Sequence, residues 1–306
     1  MPKFSIVIPC YNAVHTIDET LCSLLDQSFR NWEALCIDDG SCDGTWDVIN
    51  GYRERDTRIR VLENPGKGPS AARNFGALAM ARGDLLCFCD ADDIWLPGKL
   101  QELANGFQDG DVSGLYGKIG FFQAQPGDGQ TCSTVLPEAL SIPALLCENP
   151  VCTLSNFSLR RSAFAQVGGF DPQFSHNEDL DLLVRLIADG VRIIGLDRLQ
   201  VWYRCSPGGL SSDLVAMERS RQKVLERARR LGMHGTRRAE AVYLRYLARR
   251  ALRLGSARSD ALRLTLRGLL QSPIGFLFPL HRGLGTAIAA LVALALPQSL
   301  RSTLFS

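Results

Sequence analysis

The sequence predicts an α/β fold built on a mostly parallel, doubly wound sheet. Three observations point to it. Strand and helix signals alternate through the first hundred residues. The strand signals are short apolar runs, as strands buried between helical layers are. Three runs end in polar clusters, which is how open α/β sheets deliver side chains to a ligand crevice.

"FSIVIP" (4–9) is a short apolar run closed by Pro9 and reads as a buried strand. A helix follows from about Thr16 to Ser28, with Ile17, Leu21, Leu24 and Leu25 on one face. "EALCIDDGS" (33–41) is a strand running into acids and a Gly turn, and 44–55 a helix starting near an Asp43 cap. "IRVLEN" (59–64) is a third strand. The helix at 69–82 has Pro69 in its first turn and Gly83 just past its end. "DLLCFCDADD" (84–93) passes from apolar to acidic and is the fourth strand. Residues 123–134 read as a polar loop, and 156–171 as a strand, a short helix and a Gly-Gly turn. Residues 177–190 form a helix opened by acids and closed by Gly190. "VRIIGL" and "LQVWYR" look like two strands, and from about Ser211 the pattern is helical and Arg-rich.

The chain has 306 residues and 46% hydrophobic residues, enough for a sizeable core. A formal charge of +2 is too small to argue for nucleic acid. The charge is uneven: acids concentrate in the first two-thirds, and Arg219–Arg267 is dense in arginine, which suits an anionic lipid surface. Three of the ten cysteines, Cys36, Cys87 and Cys89, sit in apolar runs. There is no CxxC pair, and His15, His176, His234 and His281 are scattered, so a zinc site is not expected. No signal-peptide pattern opens the chain, and a reducing cytosol fits.

Tyr11, Asp38-Asp39 and Asp90-Ala91-Asp92-Asp93 all lie just past strand ends. Each cluster alone can be a solvated turn, with Asp92 or Asp93 capping a short helix at 94–96. Three at one sheet edge favour a site. Clustered carboxylate oxygens of this kind suit a hard divalent cation.

The stretches "SIVIPCYNAVHTIDETLCSLLDQSFRNWEALCIDDGSCDGT", "GPSAARNFGALAMARGDLLCFCDADDIWLPGKL" and "GGFDPQFSHNEDLDLLVRL" resemble, in order and spacing, the family 2 glycosyltransferases, inverting enzymes of GT-A fold. The likeness covers about residues 3–205. It implies a Rossmann-like sheet flanked by helices, and a UDP-sugar donor with Mg²⁺ or Mn²⁺. It places Pro9 and Tyr11 at the nucleoside, Asp39 on the uracil imide, Arg73 near the ribose and diphosphate, and Asp90 on the ribose. Asp92 would bind the metal with Asp93 beside it, and Asp179 would be the catalytic base. Asp181 is expected to be structural, Lys67 an exposed loop residue, and Trp95 and Trp202 packing residues. The Gln-x-x-Arg-Trp signature of processive members is absent from "ERSRQKVLERARR" (218–230), which implies transfer of a single sugar.

The expected division is a catalytic domain, 1–212, and a basic, apolar helical tail, 213–306. "LGTAIAALVALAL" (284–296) is too short to span a bilayer, which takes about 20 residues. The tail is therefore read either as lying on the inner face of the membrane or as a helical cap. The acceptor implied is a glycan or lipid-linked precursor of the bacterial surface. A nucleotidyltransferase would carry a Gly-rich, cationic loop after the first strand, and "PCYNAVHT" (9–16) has neither feature. A non-catalytic sugar-nucleotide-binding protein would not need Asp39, Asp92 and Asp179 together.

Overall fold

The structure is a computed structural model that describes residues 1–129, 131–205, 213–254, 258–296, 300 and 304. The expected domain boundary at 212 and helix onset at Ser211 lie outside the described residues. The chain forms two compact units, Met1–Leu140 with Pro150–Ser206, and Ser141–Asn149 with Pro207–Ser306. That 141–149 joins the second unit was not expected from its sequence.

In the first unit the elements run β1 (Phe4–Cys10), α1 (Ile17–Leu25), β2 (Trp32–Asp38), α2 (Thr45–Arg55), β3 (Ile59–Glu63) and α3 (Pro69–Asn74). They continue as β4 (Leu85–Phe88), β5 (Ile94–Trp95), α4 (Lys99–Gly106), β6 (Gly114–Phe122), β7 (Phe157–Arg160), α6 (Arg161–Gln166), α7 (Glu178–Ala188) and β8 (Ile193–Arg204). The helix α5 (Ile142–Leu145), which falls between β6 and β7 in the chain, belongs to the second unit. The strands form one sheet in the order β3-β2-β1-β4-β7-β6-β8-β5. The β3-β2-β1-β4 half is wholly parallel, and β6 and β8 are also parallel. β7 runs antiparallel to β4 and β6, and β5 antiparallel to β8.

Because β1, β2 and β4 run the same way, their carboxyl ends open on one edge, where Cys10 stands opposite Asp38. β1 and β2 are buried almost throughout, as parallel strands covered on both faces must be. Ile17, Leu21 and Leu24 of α1 pack on this sheet with Ile6, Ile8, Cys36 and Cys87. All ten cysteines are free thiols.

Three local expectations change. Asp43 does bond the start of α2, accepting from Thr45 N at 3.0 Å, but from one residue before the cap, which is Gly44 with φ 93°. The helix begun at Pro69 passes into a π-helical turn, Phe75–Met80, and stops before Gly83. Gly83 is glycine because a Cβ there would lie 2.8 Å from the Phe4 backbone, not because it caps the helix. The two strands expected at 191–204 are one, β8, exposed at Asp197-Arg198 in its middle.

The second unit is helical: α5, α8 (Leu214–Arg230), α9 (Arg237–Arg253), α10 (Arg258–Gln271), α11 (Pro273–Leu277) and α12 (Leu280–Ala295). Its core joins Leu244, Leu247, Ala251, Leu264, Ala290 and Ala293. Two of its arginines are structural. Arg221 is buried with its guanidinium 3.7 Å from the Tyr243 ring centroid and donates to Leu146 O at 2.6 Å. Arg245 is buried and donates to Phe276 O at 2.9 Å. Among the described residues no helix is long and apolar enough to cross a membrane.

Candidate active site

The loops that leave β1, β2 and β4 build the site. After β2, Asp38 is spent on the turn: its carboxylate accepts from Gly40 N, Ser41 N and Ser41 Oγ. Asp39 is the presented carboxylate. Asn64 Nδ2 donates to its Oδ1 at 2.7 Å and Gly68 N to its Oδ2 at 3.0 Å, so each oxygen is oriented, and Lys67 Nζ pairs with Oδ2 at 3.5 Å. Tyr11 is 59% exposed. The exposed Lys67 does more than expected: its Nζ donates to Asp39 O and stands 5.2 Å from the Tyr11 ring centroid. Pro9 lies at the end of β1 opposite Ile37. An aromatic face beside a fixed carboxylate is a sound seat for a nucleobase.

The acidic segment after β4 is held from below by α1. Thr16 and Thr20 donate to Ala91 O and Asp93 O, each at 2.9 Å. Ser23 Oγ accepts from Trp95 N at 3.1 Å, and Gln27 donates to Leu96 O at 2.8 Å while accepting from Leu100 N at 3.1 Å. These residues recur about every helical turn, so one polar stripe grips the backbone of 91–100. Arg204, at the end of β8, closes the other side: its Nε donates to Asp92 O at 3.0 Å, its N to Asp93 Oδ1 at 3.1 Å, and its guanidinium pairs with Glu19. The segment is thereby a short strand, β5, and not the capped helix at 94–96.

Asp90 faces Arg73 and Thr153: Arg73 Nη2 donates to its Oδ1 at 2.7 Å and Thr153 Oγ1 to its Oδ2 at 3.3 Å. Arg73 Nη1 donates to Glu178 Oε1 at 3.2 Å. The Arg73 side chain is 6% exposed, so it is a buried strut between the acidic segment and the start of α7. Burial alone would lower its pKa; Asp90 and Glu178 outweigh that and raise it.

Asp92 is half-buried, and burial followed by repulsion from Asp90 pushes its carboxyl up to about 6. Asp93 is fully buried, its Oδ2 has no hydrogen-bond partner, and burial with the charges of Asp90 and Asp92 drives its carboxyl well above the usual range. Carboxylate is thus in excess here, and one buried oxygen is orphaned. A divalent cation fits such a donor set. Among the described residues no three His, Cys, Asp or Glu side chains are grouped to hold a metal unaided, so phosphate oxygens would have to complete the shell.

At the head of α7, burial and the charge of Glu178 push Asp179 up to about 7, against a smaller pull downward from Arg73. The turn before it is clamped twice. Asn74 exchanges two hydrogen bonds of 2.8 Å with the Phe170 backbone. Asp181, fully buried, accepts from Arg185 Nε at 2.8 Å, and Arg185 donates to Val167 O and Gly169 O at 2.7 Å each. Gly168 and Gly169 have φ of 76° and 73°, where only glycine is unstrained. Asp181 is structural, as the sequence suggested.

The family model described as Glycosyl transferase family 2 matches residues 5–168, more than half of the chain. The chain belongs to glycosyl transferase family 2. An Escherichia coli relative named UDP-Glc:alpha-D-GlcNAc-diphosphoundecaprenol beta-1,3-glucosyltransferase WfgD is 32% identical over 211 residues, 68% of this chain and 79% of that protein. The S. aureus TarS structure in complex with UDP-GlcNAc superposes with a TM-score of 0.64 at 17% identity, covering 96% of this chain and 90% of that one. The mannosyltransferase PcManGT from Pyrobaculum calidifontis, in complex with GDP-Man and Mn2+, gives 0.58 at 18% identity, covering 96% and 87%. At such identities the two structures show the GT-A fold alone.

In this glycosyltransferase the sequence reading missed Asn64, Asn74, Ser155 and Arg204. Ser155 Oγ accepts from Asp90 N at 2.8 Å. Asn74 carried a signal, since its side chain can mimic a strand edge for the Gly-Gly turn. Arg204 carried none, because its partners are 111 and 112 residues away.

Proposed function

We propose that this glycosyltransferase transfers one sugar from a UDP-sugar to a hydroxyl of a glycan or lipid-linked acceptor in bacterial surface-glycan synthesis, with inversion. The observation that carries the reading is the Asp90–Arg73–Glu178 bridge, which fixes the acidic segment and the head of α7 in one frame. The WfgD name, with its UDP-Glc donor and diphosphoundecaprenol acceptor, and the UDP-GlcNAc complex of TarS support the substrate classes.

In this reading Tyr11 stacks on the base beside Pro9, and Asp39 accepts the imide N–H. Asp90, turned by Arg73, faces the ribose. Asp92, with the more enclosed Asp93, would hold Mg²⁺ or Mn²⁺, which when bound neutralises charge on the departing diphosphate. Asp179 takes the acceptor proton as the acceptor oxygen forms its bond to the anomeric carbon and the bond to the UDP oxygen breaks. Approach from the face opposite UDP inverts the centre. A carboxyl near pH 7 suits a base that must both accept and release a proton. The catalytic domain is taken as 1–212 and the tail, 213–306, as a peripheral contact with the inner face of the cell membrane.

The test is Asp179→Asn, assayed for UDP release over a panel of UDP-sugars with and without Mn²⁺. Retained UDP-sugar affinity with transfer lost by at least about a hundredfold is expected. Ordinary turnover in the variant removes Asp179 from the mechanism.

A further inference from the structure

The second unit carries a cleft of about 260 Å³ lined by Arg249, Arg253, His281 and Arg282, with Thr286 and Leu252 completing its wall. No acidic side chain lines it, and among the described residues no carboxylate forms an ion pair with Arg249, Arg253 or Arg282. Three guanidinium groups that face one another repel, and the charge of Glu148 offsets this only in part at Arg249. Burial, and then the charge of Arg253, lowers the Arg249 pKa; Glu148 raises it, and Arg282 and Arg245 add to the lowering. Arg282 also sits in the first turn of α12, where a cation opposes the helix dipole. Nothing in the fold of this unit requires that arrangement. Arg221 and Arg245, by contrast, are consumed by carbonyls and an aromatic ring.

The helix that supplies Arg282, α12, has three sides. At about 100° per residue, Gly283, Thr286, Ala290 and Ala293 form the side buried in the unit. Leu280, Leu284, Ile288 and Leu291 form an outward strip, each at least half exposed. His281, Gly285 and Ala289 lie on the flank between, toward the cleft. Ile274 and Phe278, beside the start of α12, and Leu270 of α10 are exposed apolar residues of the same unit. An apolar strip bordered by a cluster of cations, on a helix too short to span, is complementary to one kind of surface: acyl chains under anionic headgroups.

We propose that the cleft between α9 and α12 binds the phosphate headgroup of an anionic membrane lipid while the Leu280–Leu291 strip enters the acyl boundary. The proposal rests on the membrane contact put forward above and deepens it by naming the site. It is independent of the donor site in the first unit.

The experiment is flotation of the full chain with vesicles of phosphatidylglycerol and phosphatidylcholine, or of phosphatidylcholine alone. Inorganic phosphate serves as a soluble competitor, and UDP affinity is measured in parallel. The unaltered chain should prefer the anionic vesicles. Arg253→Gln and Arg282→Gln should each weaken that binding about fivefold, and together about 25-fold. Leu284→Ser with Ile288→Ser should weaken binding to every vesicle, and UDP affinity should hold in all variants. If the unaltered chain binds no vesicle, the membrane reading and this site fall together. If it binds but the arginine variants bind equally well, only the site falls. Millimolar phosphate binding that needs both arginines but brings no vesicle preference assigns the cleft to free phosphate and overturns the proposal. So does a dimer, seen by light scattering, that Leu284→Ser with Ile288→Ser dissociates, because the strip then belongs to a second copy.

Discussion

Replacing Arg73 by Met tests whether the buried strut tunes the base or merely fills space. Methionine keeps an unbranched stem near the Phe170 ring, over which the guanidinium stands at 5.7 Å. What it removes is a charge shared by Asp90 at 2.7 Å and Glu178 at 3.2 Å. Breaking a buried ion pair costs about 3–5 kcal/mol. The carboxylates here are 29% and 15% exposed and regain some water, so about 2–3 kcal/mol is the expected loss. For a unit of roughly 200 residues that lowers Tm by about 4–12 °C. The catalytic effect has a definite sign. Asp179 stands near pH 7 because burial and Glu178 raise it while the Leu180 N–H and then Arg73 lower it. Without Arg73 that share of the downward pull is lost and Asp179 moves up, so less of it is ionised at neutral pH. The assay is kcat/KM against pH at saturating Mn²⁺, which reports the free enzyme. The native enzyme should gain activity as pH rises through about 7 and lose it below. In Arg73→Met the acid limb should shift alkaline, with the deficit larger at pH 6 than at pH 9. Arg73→Lys, which keeps the charge but not the forked geometry, should hold the limb while losing stability. A limb that stays in place while kcat/KM drops equally at every pH would refute the coupling.

Three further outcomes follow from the geometry. Asp92→Ala should abolish the Mn²⁺-dependent part of UDP affinity measured by calorimetry, and an unchanged metal dependence moves the cation elsewhere. Gln27→Leu strands Leu100 N inside the protein, while Leu96 O keeps its bond from Lys99 N, and should cost about 1–3 kcal/mol in urea unfolding; a loss under about 0.5 would mean the Leu100 N–H finds water. Gly169→Ala adds a Cβ 2.5 Å from Asn74 Oδ1 at a φ of 73°, and should lose about 2–4 kcal/mol. Gly190→Ala, at a similar φ of 85° with open space around it, should lose only about 1 kcal/mol. Equal losses would mean the Asn74 clamp adds nothing.

What the sequence disclosed is what neighbouring residues decide together. β2 and β4 are apolar runs that end in acids and β1 one that ends at Pro9 and Tyr11, and their period and punctuation lie within ten residues. The strand β6 was not legible for a physical reason. Its glycines make room for β8: a Cβ at Gly114 would lie 2.8 Å from Ile193, one at Gly117 2.7 Å from Gln200, and one at Gly120 inside the Trp202 ring. Glycine weakens the strand signal at the positions where the neighbouring strand packs closest. The merging of two expected strands into β8 has the same root, since pairing with β6 continues on both sides of Asp197-Arg198, where the register shifts.

The candidate site divides along the same line. Asp39, Asp90, Asp92 and Asp179 were legible as acids at strand and helix ends, but what sets their chemistry was not. Asn64 and Gly68 orient Asp39 from beyond the next strand, and Arg73 reaches Glu178 across 105 residues. The polar stripe Thr16, Thr20, Ser23 and Gln27 lay in plain view, one residue offset from Ile17, Leu21 and Leu24. By habit such a stripe is assigned to water. Its composition argued otherwise: it has no Lys or Glu, only short or amide groups able to satisfy backbone within a protein, and Thr20, Ser23 and Gln27 are buried. A helix with two adjoining stripes, one apolar and one polar but uncharged, packs on a sheet with the first and grips a loop with the second. Here the gripped loop is the acidic segment 91–100, so α1 and the residues that flank it fix the carboxylates from one side with uncharged groups, while Glu19 of the same helix anchors Arg204 on the other.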